Sequence, residues 1–199
     1  MFLKSPNRML KKWATHFFLL SMCCASGYSF GETPRDCDHR IADFLNQPDD
    51  STRAMLDHGA GDCWAKIQDS NEKMDALDAL VSNGKRSAAA YLAPHLRQLD
   101  GGNLEDALIA LGVFAESNME GFLDLENRGQ LTSSEASDSL TMLPLSLSDE
   151  PRAQLVTMRR RRAAVMGVSR TDLAKVKAQA MSAIDKFIAQ IKSVGTSSP

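Results

Sequence analysis

The chain has 199 residues, which is about the size of one domain. It contains 23 Lys or Arg and 25 Asp or Glu, so its formal net charge at pH 7 is −2. A chain without an excess of positive charge is not expected to have nucleic acid as its main partner, because such binding needs a cationic surface.

The first 27 residues have the pattern of an export signal. Lysines and arginines without any acidic residue precede an apolar run at Trp13–Ala25, and small residues follow it at Gly27 and Gly31. The apolar run is shorter than the roughly 20 residues that span a membrane. We therefore predict cleavage after Gly27, or alternatively after Gly31, and a periplasmic or secreted protein. A lipoprotein is disfavoured because Met22 stands where its processing prefers a small residue.

Cys37 and Cys63 are the cysteines that remain after the predicted cleavage. Paired cysteines in an exported chain usually form a disulfide, and this one would contribute about 3 kcal/mol by closing its loop. His39 and His58 also give these cysteines the composition of a zinc site. If a helix begins near Thr33, however, Cys37 and His39 lie about 200° apart on it. A disulfide is therefore the prediction, with free thiols and zinc as alternatives.

Helix signals recur along the mature chain, and no segment alternates apolar and polar residues as a half-buried strand does. An apolar stripe beginning at Cys63 predicts helical structure up to Asn83-Gly84, and the next helix, residues 85–99, is expected to bend at Pro94. Residues that favour helix N-termini mark the expected starts. In chain order these are Thr33, Asp62, Asn103, Asn118, Thr132, Ser148 and Ser169.

The last predicted helix is the longest. Its apolar residues, within 173–191, form a stripe about 120° wide, so we expect it to cover the final apolar face of the domain. The expected organisation is therefore N-terminal helices fastened by the disulfide at residues 28–69, a helical-repeat region with the C-terminal helix at 70–194, and a disordered tail at 195–199.

A faint internal repeat runs through the predicted helices. Residues 75–80, 106–111 and 138–143 share the pattern Asp-x-Leu-x-x-Leu at offsets of 31 and 32 residues. Such a period is typical of stacked helical hairpins, and over residues 70–160 the chain resembles HEAT- and armadillo-like repeat proteins. The predicted fold class is all-α. It is either a short right-handed stack of helical hairpins or an irregular helical bundle, with a long C-terminal capping helix.

No motif for a phosphate loop, a paired-histidine zinc helix or a nucleophile elbow is present in the sequence. Asp57-His58 is the most suggestive local pair, because an acid beside a histidine can orient it for proton transfer. A polar turn between helices explains the same residues, and His95 is interpreted as a satisfied or exposed polar group. We predict that the protein is not an enzyme and holds no cofactor or metal. A hydrolase using Asp57, His58 or a pair of carboxylates is the third hypothesis.

Arg159, Arg160, Arg161 and Arg162 are the most unusual short feature, and they lie in the part of the chain that is positive. Residues 28–149 carry a net charge of −13, whereas residues 150–199 carry +7. Four consecutive helical residues point around most of the helix, so they cannot all line one face. One interpretation is that they neutralise the acidic body and the negative end of their own helix. The other is that they bind an acidic protein, an anionic lipid or a sugar phosphate. The four are predicted as partner-binding residues.

Small size, export and the lack of catalytic motifs resemble the immunity proteins that neutralise toxins delivered to the periplasm. This resemblance implies a non-enzymatic, protein-binding domain of the bacterial cell envelope whose partner is a toxin or an envelope enzyme. The alternative is a structural or assembly factor that binds anionic lipid or cell-wall polymer through its basic C-terminal quarter, with only peripheral membrane contact.

Overall fold

The computed structural model describes residues 36–58 and 63–195, with side chains placed up to residue 193. These residues form ten α-helices and contain no β-strand, so the all-α prediction is confirmed. The helices are α1 (Cys37–Asn46), α2 (Asp50–Asp57), α3 (Cys63–Gln68), α4 (Asn71–Ser82), α5 (Arg86–Leu92), α6 (Gly101–Ser117), α7 (Met119–Asn127), α8 (Ser133–Thr141), α9 (Pro151–Gly167) and α10 (Ala174–Gly195). Short 3-10 helices occupy Ala93–Gln98, Leu145–Leu147 and Thr171–Leu173. The predicted leader, the predicted caps Thr33 and Asp62, and residues 196–199 lie outside the described residues.

Two of the predicted helix starts are made by the residues that the sequence indicated. The Asn118 side chain accepts a hydrogen bond from the Gly121 backbone N–H at 3.0 Å and begins α7. Thr132 and Glu135 form a reciprocal capping box at the start of α8, with distances of 2.6 and 3.2 Å. Each bond satisfies a backbone N–H that the first helical turn leaves without a partner.

Other helices begin elsewhere than predicted. Helix α6 starts at Gly101, so Asn103 lies inside the helix and caps nothing. The Ser148 hydroxyl donates to the Leu145 carbonyl at 2.8 Å, and α9 begins only at Pro151. Proline suits this first position because its missing N–H would have had no partner there.

The segment between Cys63 and Gly84 is two helices and not one. Ser70 separates α3 from α4, and its hydroxyl accepts from the Lys73 backbone N–H at 3.4 Å. Helix α2 was not predicted at all, although Asp49 and Thr52 form a capping box at its start. Helices α2 and α3 have only 8 and 6 residues, too few for a long apolar stripe to mark them in the sequence. At α2 and α4 it is the cap residue that marks the start.

The three helices that carry the repeat are neighbours in space. Helix α4 packs on α6, α6 packs on α8, α8 packs on α10, and α10 packs on α9. The first shared leucine of each unit is buried, at Leu77, Leu108 and Leu140. Helix α8 ends at Thr141, so the third unit runs past its own helix. This arrangement is compatible with both a helical stack and a bundle, and the long C-terminal helix is present as predicted.

The N-terminal helices are held by the predicted disulfide and by stacked rings. Cys37 and Cys63 are bonded with their Cα atoms 5.2 Å apart, which joins α1 to α3. Trp64 stacks on His95 with ring centroids 4.2 Å apart, and Tyr91 lies 6.0 Å from Trp64. His95 is therefore half-buried in an aromatic cluster, in agreement with a satisfied polar group.

Asp78 makes the stability of the α4–α6 interface depend on pH. Burial, together with the negative charges of Asp106 and Asp75, raises the pKa of its carboxyl group to about 7. Its Oδ1 atom has no hydrogen-bond partner among the described residues. The folded state therefore holds a proton that the unfolded state has released, between about pH 4 and pH 7.

We expect Asp78→Asn to raise the free energy of unfolding at pH 8 and to leave it unchanged at pH 4. The raised pKa means that stability is fully present below pH 4 and is lost as the pH rises toward 7. Because water reaches part of the side chain, we expect a gain of about 1–2 kcal/mol at pH 8. Urea unfolding at both pH values measures it, with the exposed Glu105→Gln as control. An equal gain at pH 4 would show that the carboxyl group is not titrating.

Candidate protein-binding surface

Helix α9 separates the four consecutive arginines. Successive residues of an α-helix are about 100° apart around its axis, so the four side chains leave α9 in four directions. Arg159 and Arg160 are exposed, Arg161 is buried and Arg162 is partly exposed. The buried side of α9 also includes Met158 and Val165. The run is therefore not one surface.

Arg161 belongs to the interior of the fold, with a relative exposure of 0%. Its Nε donates to Glu116 Oε1 at 3.0 Å. Its Nη1 donates to the backbone carbonyls of Leu140 and Met142 at 2.8 and 3.0 Å, at the end of α8. These carbonyls are among those that a helix C-terminus leaves without partners. The prediction of Arg161 as a partner-binding residue is therefore corrected, because no partner reaches it in the folded protein.

Burial also lowers the pKa of the Arg161 guanidinium, while the carboxylate of Glu116 opposes this effect. Gly112 of α6 provides the space that the guanidinium occupies. A Cβ atom at this position would lie 2.9 Å from Arg161 Nη2 and would collide with the Ser139 carbonyl oxygen. Helices α6, α8 and α9 therefore meet at one charged side chain.

Arg160 and Arg162 of the run also have partners in the fold. Arg160 forms an ion pair with Glu116, the same carboxylate that holds Arg161. The Nε of Arg162 lies 2.7 Å from Asp185 Oδ1 of α10. These contacts are the neutralisation of the acidic body that was one of the two interpretations of the run. Pairs of this exposed kind contribute about 0–1 kcal/mol each.

One side of α9 faces solvent along its whole length. We call it the α9 outer face, and it falls within about 120° of arc around the helix. Val156 and Met166 on it are 62% and 58% exposed, respectively. Its members are Arg152, Val156, Arg159, Arg160, Ala163 and Met166, all of which are exposed.

Two of the three arginines of the α9 outer face have no ion pair with the described part of the chain, whereas Arg160 is paired with Glu116. Arg152 and Arg159 have no ion-pair partner among residues 36–58 and 63–193. Leu145, which is 82% exposed, lies in the 3-10 helix that precedes α9 and packs on it. Unpaired guanidinium groups beside exposed apolar side chains give the surface both hydrogen-bonding and hydrophobic capacity.

A second arginine cluster differs from the α9 outer face, because its arginines are all in ion pairs within the fold. The buried carboxylate of Asp124 in α7 pairs with Arg86, Arg128 and Arg170 at 2.9, 2.8 and 3.3 Å. Arg170 also lies 3.7 Å from Glu120. The carboxylate fastens α5 and the segment before α10 to α7, so these arginines are committed to the fold. No sequence motif pointed to this cluster, because Arg86 and Arg170 are far from Asp124 in the chain.

The residues of the zinc and hydrolase hypotheses are not gathered into one site. His39 lies 3.7 Å from Asp43 on the exposed side of α1, and Asp57 pairs with Arg53 at 3.4 Å. His58 is exposed at the end of α2. Within residues 36–58 and 63–195, no three His, Cys, Asp or Glu side chains are placed to hold a metal ion together. Cys37 and Cys63 are bonded to each other and not to a metal.

Comparison with known proteins gives no relative for this chain. No protein-family model, no curated protein and no solved structure matches it. Within the described residues, no helix has the length and apolar character needed to cross a membrane.

Proposed function

We propose that the protein is an exported, non-enzymatic protein-binding domain of the bacterial cell envelope that holds its partner on the α9 outer face. The observation that carries this proposal is the combination of unpaired Arg152 and Arg159 with the exposed Val156 and Met166 on one side of a single helix. Residues whose side chains face the interior, above all Arg161, take no part.

The composition of this face matches that of protein-binding surfaces. Arginine and methionine are enriched where proteins meet, and arginine is common among the residues that contribute most to affinity. A helix also presents these side chains on a rigid backbone, so little backbone entropy is lost on binding. An isolated exposed apolar residue needs no explanation, but Val156 and Met166 flank Arg159 and Arg160 on the same face.

The partner surface is expected to be acidic. Residues 150–199 carry a net charge of +7, and the arginines of the α9 outer face extend part of that charge into solvent. Complementary charge accelerates association and selects among partners more than it adds affinity. Binding should therefore weaken as the salt concentration rises.

Within this function, the partner we favour is a toxin or an enzyme that acts in the periplasm, which would make the protein its immunity protein or inhibitor. Three sequence features support this more specific role: the predicted leader at residues 1–27, the small size of the mature chain and the absence of catalytic motifs. Stoichiometric inhibition of a captured enzyme by the purified chain would establish it.

The test is charge reversal on the α9 outer face. The Arg159→Glu variant, used as affinity bait in an envelope extract, should retain the specific partner of the wild-type chain at least about tenfold less well. The change replaces a favourable charge contact by a repulsive one, while exposed Arg159 has no side-chain hydrogen bond or ion pair among the described residues that its loss would break. Quantitative mass spectrometry of the captured proteins measures the ratio.

Lys85→Glu is the matched control, because Lys85 is another exposed cation without an ion-pair partner among the described residues. It makes the same change in net charge and should capture the partner as the wild-type chain does. If both variants lost partner capture equally, the effect would come from the change in net charge and not from the α9 outer face. If Arg159→Glu captured the partner as well as the wild-type chain does, the α9 outer face would not be the binding surface.

Vesicles containing phosphatidylglycerol test the lipid-binding alternative. Binding of the purified chain to these vesicles, without capture of any protein from the extract, would favour that alternative.

A further inference from the structure

A second surface of the molecule has a different chemistry. Helices α8 and α10 border a groove of about 410 Å³ that shares no residue with the α9 outer face. Ser133, Ser137 and Thr141 are spaced four residues apart on α8 and line one wall. Gln179, Ser182 and Gln190 line the opposite wall from α10. A volume of this size is within the range of small-molecule sites.

From this lining we infer that the groove binds a neutral glycan, through hydroxyl and amide hydrogen bonds on both walls and through Phe187. Serine and threonine hydroxyls and glutamine amides both donate and accept hydrogen bonds. A ligand rich in hydroxyl groups matches them along its whole length. Phe187 also lines the groove and is half-buried, so it offers an apolar surface to the C–H face of a sugar ring.

A buried carboxyl group beneath the groove supports this inference. Glu126 of α7 is 8% exposed, and its Oε1 atom has no hydrogen-bond partner among the described residues. It lines a cavity of about 10 Å³ together with Ser133, Ser137 and Gln179, which also line the groove. Ser133 hydrogen-bonds to this carboxyl group, but leaving its buried Oε1 atom without a partner is costly. A hydroxyl group or one water molecule is the size of group that fits beside it.

A hydrogen bond also joins the two walls of the groove. The Gln179 amide nitrogen of α10 donates to the Ser133 hydroxyl of α8 at 3.2 Å, at the end of the groove nearest Glu126. The hydroxyl groups of Ser137 and Ser182, one on each wall, make no hydrogen bond within the described residues. The groove is thus preformed at one end and has free hydroxyl groups farther along, which lowers the entropic cost of binding.

Charge and shape favour a neutral glycan over a polyanion or a peptide. Lys186 is the one cation among the lining residues of the groove, and burial raises the pKa of Glu126, which favours its neutral form. A polyanion would need several cations. A peptide would need apolar pockets for its anchoring side chains, whereas Phe187 and Ala183 are the apolar members of this lining.

The experiment is titration of the purified chain with a neutral tetrasaccharide, followed by two-dimensional NMR of the backbone amides. Tetra-N-acetylchitotetraose and cellotetraose are the probes, and heparin tetrasaccharide is the anionic comparison. We expect saturable shifts, confined to α8, α10 and the end of α7, with at least one neutral probe. The Ser137→Ala/Ser182→Ala variant should bind about tenfold more weakly, because it loses one hydroxyl from each wall.

A second variant, Ser182→Tyr, should abolish binding by filling the groove, and the exposed position of Ser182 leaves the core intact. Arg152→Ala on the α9 outer face should bind the glycan as the wild-type chain does. No saturable shift with either neutral probe at millimolar concentration overturns the inference, as does binding of the heparin probe alone. Unchanged affinity in Ser137→Ala/Ser182→Ala also overturns it. These outcomes are independent of partner capture on α9, since the two surfaces share no residue.

Discussion

Replacing Glu116 with alanine is expected to lower the free energy of unfolding by about 3–5 kcal/mol. The substitution removes the carboxylate that lies 3.0 Å from Arg161 Nε and leaves a fully buried guanidinium without its counter-ion. The backbone carbonyls of α8 still accept from Arg161, but they carry no charge to offset the desolvation of the cation. Urea unfolding followed by circular dichroism measures the loss.

Glu120→Ala is the control for this prediction. Glu120 lies 3.7 Å from Arg170 in an exposed ion pair, so its removal should cost no more than about 1 kcal/mol. Combining Glu116→Ala with Arg161→Met should destabilise the protein by less than the sum of the two single changes, because each change removes the same interaction. Additive effects, or a loss near that of Glu120→Ala, would contradict the buried pair.

Replacing Gly112 with alanine is the second change with a large expected effect. The added Cβ would collide with the Ser139 carbonyl oxygen and lie 2.9 Å from Arg161 Nη2. Neither neighbour can easily move, since one is backbone and the other is a buried side chain fixed by several hydrogen bonds. Overpacking of this kind should lower the free energy of unfolding by about 3 kcal/mol, measured as the urea midpoint and slope.

Helix α6 contains its own control for that experiment. A Cβ at Gly102 would have no heavy atom within 4 Å, so Gly102→Ala meets no obstacle. Alanine restricts the unfolded chain more than glycine does, and Gly102→Ala should therefore stabilise the protein by about 0.5–1 kcal/mol. Opposite signs for the same substitution in one helix would establish close packing at Gly112. Stabilisation by both changes would mean that α6 and α8 are farther apart than described.

The burial of Arg161 is predictable from the spacing of apolar residues around it, but not from the composition of the four-arginine run. Arg161 lies three residues after Met158 and four before Val165, which is the spacing of one helical face. Counting it as a member of a cationic run obscured its place on the apolar stripe. Its partner Glu116 and the carbonyls of α8 come from distant segments, and no single-sequence pattern connects them to residue 161.

Long amphipathic helices were predictable because their periodicity is local. The capping box at Thr132 and Glu135 lies where the sequence indicated, and α10 is the longest helix, as predicted. Its start is at Ala174, after the 3-10 helix Thr171–Leu173, and not at the predicted Ser169. The errors concern short elements: α2 has few apolar residues, and Ser70 interrupts an apolar stripe that continues on either side of it. The groove was not foreseen, because its hydroxyl groups are ordinary on each helix and become a site only when α8 and α10 pack together.

The position of the Arg161 guanidinium has a consequence for how the C-terminal half opens. A linear array of hairpins can lose its end unit while the others stay folded. Here one cation on α9 bonds to a carboxylate of α6 and to carbonyls at the end of α8, so detaching any one of the three helices deprives a buried charge of partners. Local fraying should therefore spare these helices, and their amide protons should exchange with solvent as one cooperative unit.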